Sequence, residues 1–254
     1  MVMKEVNDLN ILFYPDGLRR FSKLYHALSD LGIRFHNDIH SDFDLFFLWT
    51  YNKMGCEVDD FIRDNNPINT GCYDISKTKV AMIFDDIRVN PECYDGLVVR
   101  KSERQCSMDE VLIQCPTQRD DNFIYRRYIN HHNGDGFVTY RLYYFNGIKF
   151  ISSITNPGNL FSKDLNRSWK VESLDIIPLW RRLEIERDAR LFGVDFGEID
   201  VLFDVDDEYF YVIDVNNIAG SGGWGDYRFE DLRLMYNNEL ITFLKERYED
   251  SVKK

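Results

Sequence analysis

The stretch that most constrains this chain is residues 193–223, GVDFGEIDVLFDVDDEYFYVIDVNNIAGSGG. Two apolar runs, Glu198–Val205 and Tyr209–Val215, flank Asp206-Asp207-Glu208, the composition of a β-hairpin with an acidic turn. A three-residue loop centred on Asp207 predicts Asp200 directly across the ladder from Asp214. Strand alternation then sets Asp214 and Asn216 on one face, with Asp200 beside them. Like charges facing across a ladder cost stability. A divalent cation removes that cost, and hard cations such as Mg²⁺ take oxygen donors of this kind. The alternative is an ordinary hairpin with both acids on its solvated face, and alternation alone does not choose between the two.

The rest of the chain narrows the classes open to such a hairpin. Its 254 residues can bury one large core or two to three small ones. A net charge of −12, with no basic cluster longer than an Arg-Arg pair, argues against nucleic acid or an anionic membrane as the main partner. The longest apolar run, Leu45–Trp49, is too short to span a bilayer, and the N-terminus shows no secretory pattern. Cys56, Cys72, Cys93, Cys106 and Cys115 are scattered and without C-x-x-C spacing. They read as free thiols of a reducing cytosol, not as a zinc site or a disulfide framework. The expectation is a cytoplasmic protein.

Along the chain, residues 9–14 predict a strand and Pro15-Asp16-Gly17 a turn. A helix then carries Leu18, Phe21, Leu24, Tyr25, Leu28 and Leu31 at helical spacing. Short strands at Ile33–Phe35 and Phe43–Trp49 complete a β-α-β-β start, a small α/β unit without a G-x-G-x-x-G. A polar stretch, 52–72, suggests a boundary near residue 70. Beyond it a helix is expected from Asp74 to about Asp85, a strand at Gly96–Arg100, a helix-like segment at Ser107–Ile113 and a strand at Asn122–Ile129. Phe137–Phe145 and Lys149–Ile154 form a hairpin across Asn146-Gly147. Pro157–Lys170 reads as a polar loop. Pro178–Leu191 reads as a charged amphipathic helix with Leu179, Leu183, Ile185 and Leu191 among its apolar positions, and 228–249 as a closing helix.

Taken in order, the helix, Gly193-Val194-Asp195-Phe196-Gly197, the strand with Asp200, the turn, Ile213-Asp214-Val215-Asn216 and Ala219-Gly220 resemble the C-terminal signature of the ATP-grasp superfamily. D-alanine–D-alanine ligase and the glutamate ligases are among its members. The resemblance implies an ATP-grasp fold of two α+β lobes, 71–121 and 122–254, preceded by a short α/β lobe over 1–70. It implies ATP and Mg²⁺ as cofactors, with Asp200, Asp214 and Asn216 as metal ligands. Asp214 stands where Glu is commoner, one methylene shorter.

By the same resemblance Lys77 and Lys101 meet the phosphates, with Lys79 and Arg100 as their competitors. Phe123–Ile129 supplies the adenine-reading strand, so that Arg126, Arg127, Tyr128 and Ile129 line the nucleotide. Arg126-Arg127 replaces a common Gln-Glu pair. Arg141 matches an arginine that contacts substrate or phosphate, and an edge-strand charge is its other reading. Lys163 and Arg167 are assigned near the acceptor by position only. The segment after Lys101, SERQCSMDEVLIQCPTQRDDN, lacks the glycine-rich phosphate lid of many members, leaving Ser102, Arg104 and Ser107 as side-chain substitutes. His131-His132 reads as a polar turn, since neighbours on a strand face opposite ways. Ser221–Gly225 matches no nucleophile motif.

The implied chemistry joins a carboxylate to an amine through an acylphosphate, on small-molecule or peptide substrates. A small-molecule kinase, a nucleotide-binding protein without turnover and a plain interaction module are the other readings.

Overall fold

The computed structural model describes residues 4–50, 60–102, 109–158, 167–217 and 229–253. The first sheet is parallel, in the order β2-β1-β3: β1 (Asn10–Pro15), β2 (Arg34–His36) and β3 (Leu45–Trp49). Covered on both faces, it needs continuous apolar runs, and all five residues of β3 are buried. Helix α1 (Lys23–Asp30) starts later than the apolar spacing predicts. The Ser22 hydroxyl accepts from the Tyr25 amide at 3.2 Å and caps it, so Leu18 and Phe21 lie ahead of the helix. Leu12, Phe46 and Leu48 meet Ile62 of α2 (Asp60–Asn65) on one face. Ile11, Phe13, Phe47 and Trp49 meet α1 and α5 (Glu230–Val252) on the other.

The second sheet is antiparallel, in the order β5-β4-β6: β4 (Gly96–Ser102), β5 (Val111–Cys115) and β6 (Phe123–Arg127). This corrects the helix expected over Ser107–Ile113. Residues 103–108 lie outside the described residues, and Val111–Ile113 is strand, with Ile113 opposite Val98. Three consecutive apolar residues have too little length to bury a helical stripe, whereas the edge of β4 offers them a ladder.

The third sheet holds β7 (Phe137–Phe145), β8 (Ile148–Asn156), β9 (Ser168–Glu172), β10 (Phe196–Asp204) and β11 (Tyr209–Asn216), in the order β11-β10-β7-β8-β9. The Asn146-Gly147 turn between β7 and β8 is as expected, both residues having positive φ. The polar loop ends earlier than predicted, because Ser168–Lys170 already pair with β8. Helices α3 (Lys77–Ile83) and α4 (Leu179–Phe192) cover one face, and α5 lies over the other.

Helix α4 corrects a second expectation. Leu179, Leu183 and Leu191 are exposed, and Arg181, Ile185, Asp188, Ala189 and Phe192 are buried. The buried face is thus partly charged: Arg181 forms an ion pair with Asp85 and donates from Nε to the Phe210 carbonyl at 2.9 Å. Gly193 ends the helix in the left-handed region, φ 88°. A Cβ there would meet the Gly71 Cα at 2.4 Å, so the site requires glycine on two counts. Among the described residues no helix is long and apolar enough to cross a membrane.

Candidate functional site

The hairpin β10–β11 places the two acids. Near the turn its register pairs Asp204 with Tyr209 and Val201 with Val212. One step on it shifts, and Asp200 pairs with Asp214 and Glu198 with Asn216. The turn is therefore one residue longer than a loop centred on Asp207, and a one-residue bulge at Ile213 restores the predicted opposition. Such an insertion lets two successive side chains share a face. Ile213 and Asp214 both line the same cleft, while Val201, Val212 and Val215 face the core under α3 and α4. The Arg126 guanidinium donates to the Ile213 carbonyl at 2.8 Å and to the Lys77 carbonyl at 3.1 Å, tying the bulge to α3.

The cleft, about 370 Å³, lies between the second and third sheets. It is lined by Lys77, Lys101, Arg126, Arg127, Tyr128, Ile129, Arg141, Asp200 and Asp214, so it gathers every expected site residue except Asn216. The Asn216 amide instead donates to Asp200 at 3.3 Å from just behind them. The competing assignments separate cleanly. Lys79 lies 4.8 Å from the Tyr73 ring and 4.5 Å from the Phe192 ring, and Arg100 stacks on Phe123 at 4.6 Å; neither lines the cleft. Arg167 does line it, while Lys163, Arg104, Ser107, Ala219-Gly220 and Ser221–Gly225 fall outside the described residues.

Several charges at this end are already paired. Arg141, opposite Asp200 on β7, donates from Nε to Asp200 at 2.8 Å and lies 3.3 Å from Glu198. Glu198 is 2% exposed and also accepts from Lys23 of α1, 1% exposed, at 2.8 Å. Sequence reasoning missed both partners, since α1 and β10 lie 175 residues apart and only the fold joins them. Lys77 is buried and donates to the Ser102 carbonyl at 3.2 Å, and Lys101 pairs with Glu110.

The other end is apolar, built from Ile87, Ile129 and Leu202 with Tyr211 and Ile213 packed against them. In the strand expected to read adenine, the Arg127 and Tyr128 amides donate to the Ile87 and Leu97 carbonyls. The Ile129 amide has no partner among the described residues, which leaves a backbone donor at the apolar end. Arg127 is held by Asp204 and Asp207 and lies 4.4 Å from the Tyr211 ring.

The donor set fits a hard cation. Among the described residues no group of three or more His, Cys, Asp or Glu forms a metal cage. Two carboxylates and an amide are instead a partial set, and Mg²⁺ usually takes one or two carboxylates and completes its shell with water and phosphate oxygens.

No family model matches the chain, and no curated protein matches it. Solved structures do. The ATP-grasp ligase PsnB, complexed with minimal precursor, Mg and ADP, superposes with a TM-score of 0.62 at 11% identity, covering 98% of this chain and 99% of that one. D-alanine–D-alanine ligase from Bacillus anthracis, complexed with ATP, gives 0.54 at 13% identity, with 96% and 99% covered. The macrocyclase MdnC from Microcystis aeruginosa, bound with precursor peptide MdnA, gives 0.52 at 12%, with 93% and 99% covered. The chain has the ATP-grasp fold, as the order of elements around the acidic hairpin implies.

Proposed function

We propose that this protein is an ATP-dependent ligase that joins a carboxylate to an amine through an acylphosphate. The observation that carries the reading is the meeting of Lys77, Lys101 and Arg141 with Asp200 and Asp214 in one cleft that also holds the apolar group Ile87, Ile129 and Leu202. The polyphosphate needs fixed cations at the charged end, and the base needs the apolar slot and the open Ile129 amide. Asp200, Asp214 and the Asn216 amide oxygen would hold Mg²⁺, which when bound supplies charge neutralisation at the phosphates. In this reading the three sheets correspond to three lobes, divided near residue 70 and, because β6 pairs with β4 of the middle sheet, after β6 and not at residue 121.

The substrate carboxylate attacks the γ-phosphorus, the bond to the bridging oxygen breaks, and ADP leaves. The amine then attacks the acyl carbon, loses a proton and expels phosphate. Lys77, pinned by its burial, and Lys101, exchanging Glu110 for a phosphate oxygen, stabilise the charge in transfer, and positioning does most of the work. Arg141, which lines the cleft and is held by Asp200 and Glu198, orients the carboxylate. The acceptor is a small molecule or a peptide. PsnB and MdnC, both solved with precursor peptides, support the peptide class.

Two measurements test this. Mg·ATP should raise the unfolding temperature by ligand linkage, and Lys101→Ala should blunt the rise. ADP and phosphate should be released together only when carboxylate and amine are both present, with hydroxylamine trapping the acylphosphate. A stable phosphorylated product without free phosphate would assign a kinase instead, and the absence of any thermal shift would remove nucleotide chemistry altogether.

A further inference from the structure

One titratable side chain lines the cleft at the end away from the acids and has no part in the ligase chemistry. His131 is 9% exposed, its ring 5.4 Å from that of Phe137 and 6.5 Å from that of Tyr128. Its Nδ1 lies 2.8 Å from the Ile129 carbonyl oxygen. A carbonyl only accepts, so Nδ1 carries the proton and Nε2 of the neutral ring is an acceptor. Among the described residues Nε2 has no partner, and it is not sealed from solvent. Burial pushes the imidazole below the ordinary histidine value, against the opposing pull of the Ile129 bond and Asp204. The titratable groups around it are Asp204 from β10, Tyr128 from the strand end and His132 from the same turn. The ring is therefore a fixed, neutral acceptor at neutral pH.

Position says what it accepts from. Phe137, beside His131, and Arg141, beside Asp200, both line the cleft and lie four residues apart on β7, about 13 Å of extended strand. A triphosphate seated among Lys77, Lys101 and Arg141 thus leaves its nucleoside against Ile87, Ile129 and Leu202, within reach of His131. Building on the ligase reading above, we propose that His131 is a nucleotide-binding residue whose Nε2 accepts a hydrogen bond from the nucleoside half of ATP. The donor is the exocyclic amine or a ribose hydroxyl.

Calorimetric titration of the full chain with Mg·ATP tests this, at about pH 8, above the histidine range. His131→Phe should weaken binding by about tenfold, the worth of one hydrogen bond. His131→Gln, which keeps an acceptor, should recover part of it. As the pH falls through the lowered His131 value, a protonated ring loses its lone pair, so wild-type affinity should drop more steeply than that of His131→Phe. The variant's own profile records the protonation of ATP. Of 2′-deoxy-ATP, 3′-deoxy-ATP and the amine-less purine riboside triphosphate, the analogue lacking the bonded donor should bind wild type and His131→Phe equally. Should His131→Phe fail to fold, the glutamine variant, the wild-type pH profile and the analogue series decide. Equal ATP affinity and parallel pH profiles in wild type and variant would overturn the assignment alone. A wild type that binds no Mg·ATP at pH 8 would overturn the ligase reading together with it.

Discussion

Asp200 accepts from Arg141 on both oxygens and from the Asn216 amide on one, so its charge is compensated before any metal arrives. Its repulsion with Asp214 across the ladder is correspondingly weak, ~1 kcal/mol or less for facing like charges. Asp214→Asn removes that repulsion and keeps the shape of the side chain. The variant should match wild type in urea midpoint, or slightly exceed it, while Mg²⁺-dependent turnover disappears. A structural acid would behave oppositely, with stability falling and activity following it. Unfolding of Asp214→Asn, or survival of its turnover, would refute the metal assignment for Asp214.

At the scale of elements, the sequence was legible wherever one period governed both faces of a strand. Alternation and an acidic turn were enough to bring Asp200 opposite Asp214, although the chain gets there by a longer turn and a bulge that cancel. Neither is visible in composition, because Ile213 reads as one more apolar strand residue until Arg126 is seen holding its carbonyl. The apolar positions of α4 misled for a different reason. A stripe count assumes that burial follows hydrophobicity, and here an ion pair decides the buried face. Asp85 accepts from Arg181 and, at 2.8 Å, from the Val212 amide of β11, so the pair fastens α4 to the back of the hairpin. Arg181→Met should strand the Asp85 charge and cost ~3–5 kcal/mol, whereas Arg181→Met with Asp85→Asn should recover much of it. Burial already pushes the Asp85 carboxyl above its ordinary value. Without Arg181 the loss should shrink as the pH falls through that raised value, since a protonated acid is cheaper to bury. Chemical denaturation of the two variants across pH reads this directly; a double variant no better than the single would refute the pairing.

Across the whole molecule, one chain of charge, buried at its start and partly exposed at the cleft, connects the first sheet to the site: Lys23 of α1, Glu198 of β10, Arg141 of β7, then Asp200. Lys23 also lies 3.3 Å from the Tyr143 hydroxyl and 5.0 Å from that ring, so its ammonium is fixed inside the core shared by α1, α5 and the third sheet. Taking two such ions out of water is costly, and a buried pair often adds little to stability over an apolar one. Its consequence here is geometric. Glu198 stands between two cations, and the share of it that Lys23 takes leaves Arg141 to bond Asp200. With Lys23→Met, Glu198 keeps Arg141 as its only charged partner among the described residues and draws the guanidinium off Asp200. Lys23→Met should therefore destabilise the protein by up to ~3–5 kcal/mol, the cost of breaking a buried pair, and also weaken its Mg·ATP-induced thermal shift. Lys23→Met combined with Glu198→Gln leaves no unpaired buried charge, so the loss of the double variant in denaturant midpoint should be well below the sum of the single losses. Strictly additive losses would show that the two residues act independently, and that the first sheet is merely packed against the site instead of charge-coupled to it.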